Sequence, residues 1–215
     1  MNNVMMLVLK VLLTAVVAYL GYVFIISMSA PIKFTKESAA RDAVITTRLD
    51  KIKQAQDAYY RITGEYTESF DTLLALCTTE SFKIENKLLV LRANYDIAIH
   101  GENPKEYGDT AYYEITKIDS IPIFDSLFAR LDYPLEELRI IPFSEGKSFY
   151  MAADEIDVAG GRFQVPTYEV TAPKKYYYTG LNKKYYNPAD GMQLGNISEA
   201  NTDVYPVDDI FYPED

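Results

Sequence analysis

From Val11 to Ala30 the chain reads VLLTAVVAYLGYVFIISMSA, twenty residues without a charged side chain. At 1.5 Å per residue such a run makes roughly 30 Å of helix, the thickness of a bilayer's hydrocarbon core. The preceding MNNVMMLVLK is also mostly apolar, and Lys10 can snorkel from it to the headgroups. A cleaved signal peptide is the competing reading, and it requires a basic leading segment, a shorter apolar core and a small-x-small exit. Ser27-Met28-Ser29-Ala30 loosely offers that exit, but the run is long and little charge precedes it. An uncleaved single-pass anchor over residues 1–30 is therefore expected.

Orientation draws on opposing signals. Lys33, Lys36, Arg41 and Arg48 follow the span, against Lys10 and the amino terminus before it. A literal positive-inside count places the following domain in the cytoplasm. The domain's own character, rich in Tyr and Asn with a single cysteine, leans toward export. An exported domain is the expectation.

Composition narrows the function classes. Of the 215 residues, about 150 lie beyond the anchor and its continuation, enough for one core. A net charge of −10 and a pI near 4.7 argue against nucleic acid as a partner, because phosphates demand a basic patch. The single cysteine, Cys77, excludes an intrachain disulfide framework and a four-cysteine zinc site. It sits in the apolar run LLALC and reads as a small buried hydrophobe, with an interchain bridge as the alternative.

Past the span, ESAARDAVITTRLDKIKQAQDAYYRIT runs from Glu37 with no Gly or Pro before Gly64. Ile45, Leu49, Ile52, Ala55, Tyr59 and Ile62 recur at steps of three and four, one amphipathic face of a helix. Pro31 is expected to kink or begin this half, and Gly64 to end it in a left-handed conformation. Span and stalk together would measure roughly 75 Å, from about 50 residues at 1.5 Å each. Thr67 or Ser69 can cap the short helix FDTLLAL that follows.

The passage from Ala40 through Leu76 resembles the amino-terminal helix and following turn of type IV pilins and type II secretion pseudopilins. Those helices close with A-x-x-x-Y-x-x-x-x-G-x-Y and then a short L-x-x-L helix. Here the matching residues are Ala55, Tyr59, Gly64 and Tyr66, followed by Leu73 and Leu76. The resemblance implies a membrane helix running on into an amphipathic half packed on a small sheet. The family's cleavage site is displaced: Phe34-Thr35-Lys36-Glu37 echoes it but follows the span, lacks the preceding glycine and has its glutamate one place early. A pilin-like shape without processing is the expectation.

After Cys77 the apolar period shortens toward two. Strands are expected at Lys87–Ala93, Ala111–Ile118, Leu138–Phe143, Ser148–Ala153 and Arg162–Val170, with SEGK and AGGR as hairpin turns. A short helix is expected at Asp125–Arg130. The fold class is then α+β, a long helix on an antiparallel sheet. The organisation reads as anchor 1–30, stalk 31–64, an α+β domain at 65–171, and a loop-rich extension at 172–215. That extension is expected to be clamped by aromatic side chains and frayed after Asp203.

Catalytic signatures are missing: there is no P-loop, G-x-S-x-G, H-E-x-x-H or dinucleotide fingerprint. His100, the one histidine, lies in the turn-like IHGENP and reads as a loop residue. Asp154, Glu155, Asp157, Asp208 and Asp209 are acidic clusters of the kind that usually form solvated faces. Calcium, held by oxygens such as those of Asn187 and Asp190 beside Gly191, is the one cofactor that merits a test, although the EF-hand spacing fails. No other cofactor and no enzymatic activity are expected.

The compositional excess is nineteen tyrosines. Tyr176, Tyr177 and Tyr178, beside Lys174 and Lys175, are expected to offer a contact surface. Two functions follow from different classes. One is a non-enzymatic component of a cell-envelope assembly in a bacterial inner membrane, with its domain in the periplasm. The other is a tethered binding module that offers a tyrosine-rich surface to glycan or peptidoglycan. On the first reading Ile52, Tyr59 and Ile62 pack in the domain. Val44, Ile45 and Leu49 are then left for partners: the lipid bilayer, other envelope proteins, and further copies associating through the helix.

Overall fold

In the computed structural model the uncharged run and the stalk form one helix, α1 (Asn3–Thr63). The structure describes residues 3–91, 105–107, 112–158 and 160–213. The expected strand ends at 92–93 and 111, and His100, lie outside them. The helix continues through Pro31 instead of restarting there. The Thr35 hydroxyl donates to the Pro31 carbonyl at 2.9 Å, and farther up Thr14 donates to Lys10 O at 2.9 Å. The helix ends where expected: Gly64 has φ +84° and its N–H donates to Tyr60 O at 2.8 Å. That left-handed residue costs a glycine little, and it lets the chain turn back.

The turn is fastened by a residue the periodicity did not single out. Gln56, buried on α1, donates from Nε2 to Thr67 O at 2.6 Å and accepts from Thr67 N at 3.2 Å. Helix α2 (Phe70–Thr79) follows, with the Ser69 hydroxyl accepting from Thr72 N at its amino end. Ser69 is thus the cap. Leu73 and Cys77 form the buried face of α2.

The chain divides into two compact units, Met1–Lys53 with Leu138–Asp215, and Gln54–Glu137. In the second, β1 (Ser81–Leu91), β2 (Lys105–Tyr107) and β3 (Tyr112–Pro122) make a three-stranded antiparallel sheet in the order β1-β3-β2. Helix α3 (Ile123–Leu127) falls close to the expected short helix and buries Ile123. In the first unit, β4 (Tyr150–Val158), β5 (Phe163–Pro173), β6 (Gly191–Asn196) and β7 (Asn201–Val207) form a four-stranded antiparallel meander. The fold is α+β, with its antiparallel strands in two sheets.

Two sequence expectations are corrected. Leu138–Phe143 is no strand: a 3₁₀ turn covers Leu135–Arg139, and Ile140 makes a single bridge to Ser148 across the SEGK turn. Leu135 and Leu138, both inside that turn, are buried at a spacing of three, which a one-turn helix provides and a strand does not. The extension from residue 172 holds regular structure, namely α4 (Lys174–Tyr177), β6 and β7, and pairing continues past Asp203 to Val207. The aromatic clamps expected there are present: Tyr212 donates to Ser148 O at 2.8 Å and packs on Tyr150 and Tyr176.

Candidate functional site

Along α1 the large side chains from Met5 to Ile32 stand exposed, including Leu12, Val17, Tyr19, Leu20, Phe24 and Ile25. One 18-residue window has a mean hydropathy of 2.3 and buries none of its residues in the chain. A soluble core helix would hide that face; here it is bare around the whole circumference. The helix is long and apolar enough to cross a membrane.

Directly after this stretch the helix enters a collar. Phe34 stacks on Tyr186 (6.1 Å between centroids, 9° between planes), lies 5.3 Å from Tyr185 and meets Tyr178 edge-on at 6.0 Å. Tyr178 packs edge-on against Tyr177 and Tyr186 at 4.8 and 5.0 Å. Two helical turns on, Arg41 donates from Nη1 to Tyr177 O and Thr179 O at 2.9 and 2.8 Å, and its Nη2 pairs with Glu37 at 2.9 Å. The guanidinium thus takes up carbonyls at the carboxy end of α4, where cations are favoured. Its carbon also lies 5.0 Å from the centroid of the Phe143 ring. Beside it the Tyr178 hydroxyl donates to both oxygens of Asp42 at 2.9 Å.

Sequence reasoning placed Tyr176, Tyr177 and Tyr178 on a contact surface. The structure buries Tyr177 and Tyr178 and half-buries Tyr176. Tyr177 and Tyr178 belong to the collar, where Arg41 takes the Tyr177 carbonyl and Asp42 the Tyr178 hydroxyl from 136 residues away, whereas Tyr176 packs on Tyr212. Ile45 and Leu49, expected to face partners, are also fully buried, whereas Val44 is exposed. Ile52 is buried as expected and Tyr59 half-buried. Ile62, expected in the core, is 41% exposed. It lines an open groove of about 700 Å³ with Asp57, Ala58, Arg61, Phe82 and Leu127.

Cys77 is buried, and burial pushes its thiol up to about 11. Asp154, Glu155 and Asp157 lie exposed on β4, and Asp208 and Asp209 in an exposed turn. Asn187 donates to Asp190 at 2.8 Å, and Asp190 also pairs with Lys174 at 3.4 Å. Among the described residues no group of three or more His, Cys, Asp or Glu side chains is arranged to hold a metal.

The collar has a pH signature. Burial raises the Tyr178 pKa first, and the hydrogen bond to Asp42 and its charge raise it further; burial likewise raises Tyr177. The folded state therefore holds both phenols neutral, and stability is full below the ordinary tyrosine value of about 10. It falls as pH rises above that value, because the unfolded chain loses those protons first. Tyr178→Phe should cost about 1.5–3 kcal/mol by stranding Asp42, and it should make the alkaline loss shallower. Thermal melts of the full chain in detergent at pH 8 and pH 11 check this, and equal alkaline losses for both proteins would remove Tyr178 from the account.

Fold and site together define an α+β protein with one amino-terminal helix that is apolar enough to cross a membrane, collared by aromatic side chains where the apolar stretch ends. Comparison with family models, curated proteins and solved structures returned no match.

Proposed function

We propose that this chain is a non-enzymatic, membrane-anchored structural component of a cell-envelope assembly, pilin-like in shape. On this reading it sits in a bacterial inner membrane with residues 1–10 in the cytoplasm and the region from residue 31 in the periplasm. The observation that carries the proposal is the bare apolar half of α1. Within a membrane that half is available to neighbours on every side. The collar of Phe34, Arg41, Asp42 and Tyr178 supports it, because such a clamp holds the exit of the span at a fixed angle to the first unit. An anchor that served only as a tether needs no such fixing.

The test has two arms. The mature chain should stay in the membrane through an alkaline wash with a mass near 24.5 kDa, and protease should digest the periplasmic part once the outer barrier is opened. Replacing residues 11–30 by an unrelated apolar span should keep membrane retention and lose the proteins that co-purify in mild detergent. Release by the alkaline wash would sink the anchor. Retention of every partner by the exchanged span would sink assembly through α1.

A further inference from the structure

Among the described residues, β1 is a long edge strand of its sheet. It pairs with β3 along one side, and among the described residues no strand pairs along its other side. From Lys83 to Leu89 every residue of it is exposed. An eleven-residue backbone edge that no described strand matches is a template for another strand, and folded proteins normally shorten, bend or cover such an edge.

The side chains on this edge name the strand that fits. One face carries Phe82, Ile84, Leu88 and Val90 around Asn86; the other carries Lys83, Glu85, Lys87, Leu89 and Leu91. Antiparallel pairing of β1 with another β1 about a two-fold at Asn86 covers the strand from Ser81 to Leu91. Ile84 then lies opposite Leu88, Phe82 opposite Val90, and Glu85 opposite Lys87, each twice. Moving the two-fold one residue toward the amino end sets Glu85 against Glu85 and Lys83 against Lys87. Moving it one residue the other way sets Lys87 against Lys87. Like charges directly opposite on a sheet destabilise it, whereas opposite charges and apolar pairs stabilise it. Pairings with an odd offset put the apolar face of one strand on the charged face of the other. The registers two residues away meet no like charges but pair only residues 81–87 or 85–91, so strand length together with charge and pattern favours the two-fold at Asn86.

We propose that β1 is a homodimerisation strand, pairing antiparallel with β1 of a second copy about Asn86 to join the two three-stranded sheets. This contact is separate from any association through α1 and stands whether or not the assembly reading holds.

Cysteine cross-linking of the full-length chain in mild detergent tests it. Cys77 is buried and its thiol is held protonated, so it stays silent near neutral pH. Asn86→Cys should be bridged by a short thiol cross-linker to a species of twice the mass. Leu91→Cys should not, because in this register its two copies lie ten residues apart along the paired strands, roughly 33 Å. Glu85→Lys should weaken the dimer about tenfold by opposing two lysine pairs, and Lys87→Glu should act likewise. Combining the two restores opposite charges and should restore the dimer. Equal cross-linking at 86 and 91, no rescue by the double swap, or bridging of Asn86→Cys to a protein of different mass would each overturn the proposal.

Discussion

Leu49→Ala and Ile45→Ala should each lower the stability of the chain by about 2–5 kcal/mol, whereas Val44→Ala and Ile62→Ala should change it by less than about 1 kcal/mol. Both buried side chains have no exposed surface, so truncation loses their transfer energy and leaves a cavity. Val44 and Ile62 are each 41% exposed, so truncating either returns little apolar surface to water. This reverses the order expected on the assembly reading of the sequence, in which Ile62 is core and Ile45 is left for partners. Denaturant unfolding of the four full-length variants in one detergent would rank them. A Leu49→Ala protein that unfolds with the native midpoint would mean that the stalk is not packed as described. Ile52→Ala belongs with the costly pair, being equally buried.

The reason for the reversal shows what a single chain can and cannot disclose. Helical periodicity correctly picked the stripe Ile45, Leu49, Ile52 and Ala55, all of which are buried. Periodicity says which residues share a face, not how far along a helix that face is covered. Coverage ends at Ala58, and the last turn of α1 opens on the groove lined by Phe82 and Leu127. Local stop chemistry was legible for the opposite reason. Gly64 and the Gly160-Gly161 turn act through their own backbone, with φ of +84°, +71° and +80°, and need no distant partner. Ser69 likewise caps a helix three residues away.

Strands β6 and β7 were hidden by composition. GMQLGN has no β-branched residue and two glycines, and NTDVYPV contains Pro206, a residue that demotes a run to loop on pattern alone. Pro206 is tolerated because, among the described residues, β7 is the outer strand of its sheet and pairs only with β6. Burial of Tyr177 and Tyr178 is not legible locally, because their partners Arg41 and Asp42 are 136 positions earlier. Nothing within KKYYY distinguishes a collar from a contact surface.

Among the described glycines outside the span, Gly195→Ala should prove the most damaging, at about 2–6 kcal/mol from backbone strain and overpacking together. Gly195 sits at the irregularity between Leu194 and Asn196, opposite Glu169, with φ +73°. A Cβ there would run into the carbonyl oxygen of Tyr168, a fully buried residue of β5, and would come within 3.3 Å of Asn201 O. Its own carbonyl accepts from Gln193 Nε2 at 3.0 Å and from the Tyr205 hydroxyl at 3.2 Å, so the bulge cannot shift without breaking both. Gly180 supplies the comparison, with φ +82° but open space where a Cβ would go. Gly180→Ala should therefore carry only the backbone term, about 1–2 kcal/mol. Asparagine sharpens the contrast, because it tolerates the left-handed region but still brings a Cβ. Gly180→Asn should be nearly neutral, and Gly195→Asn should remain as harmful as alanine. Unfolding midpoints of the four variants measured together would separate conformational strain from collision. If positions 195 and 180 respond alike, the β5 and β6 backbones do not approach as closely as the bulge requires.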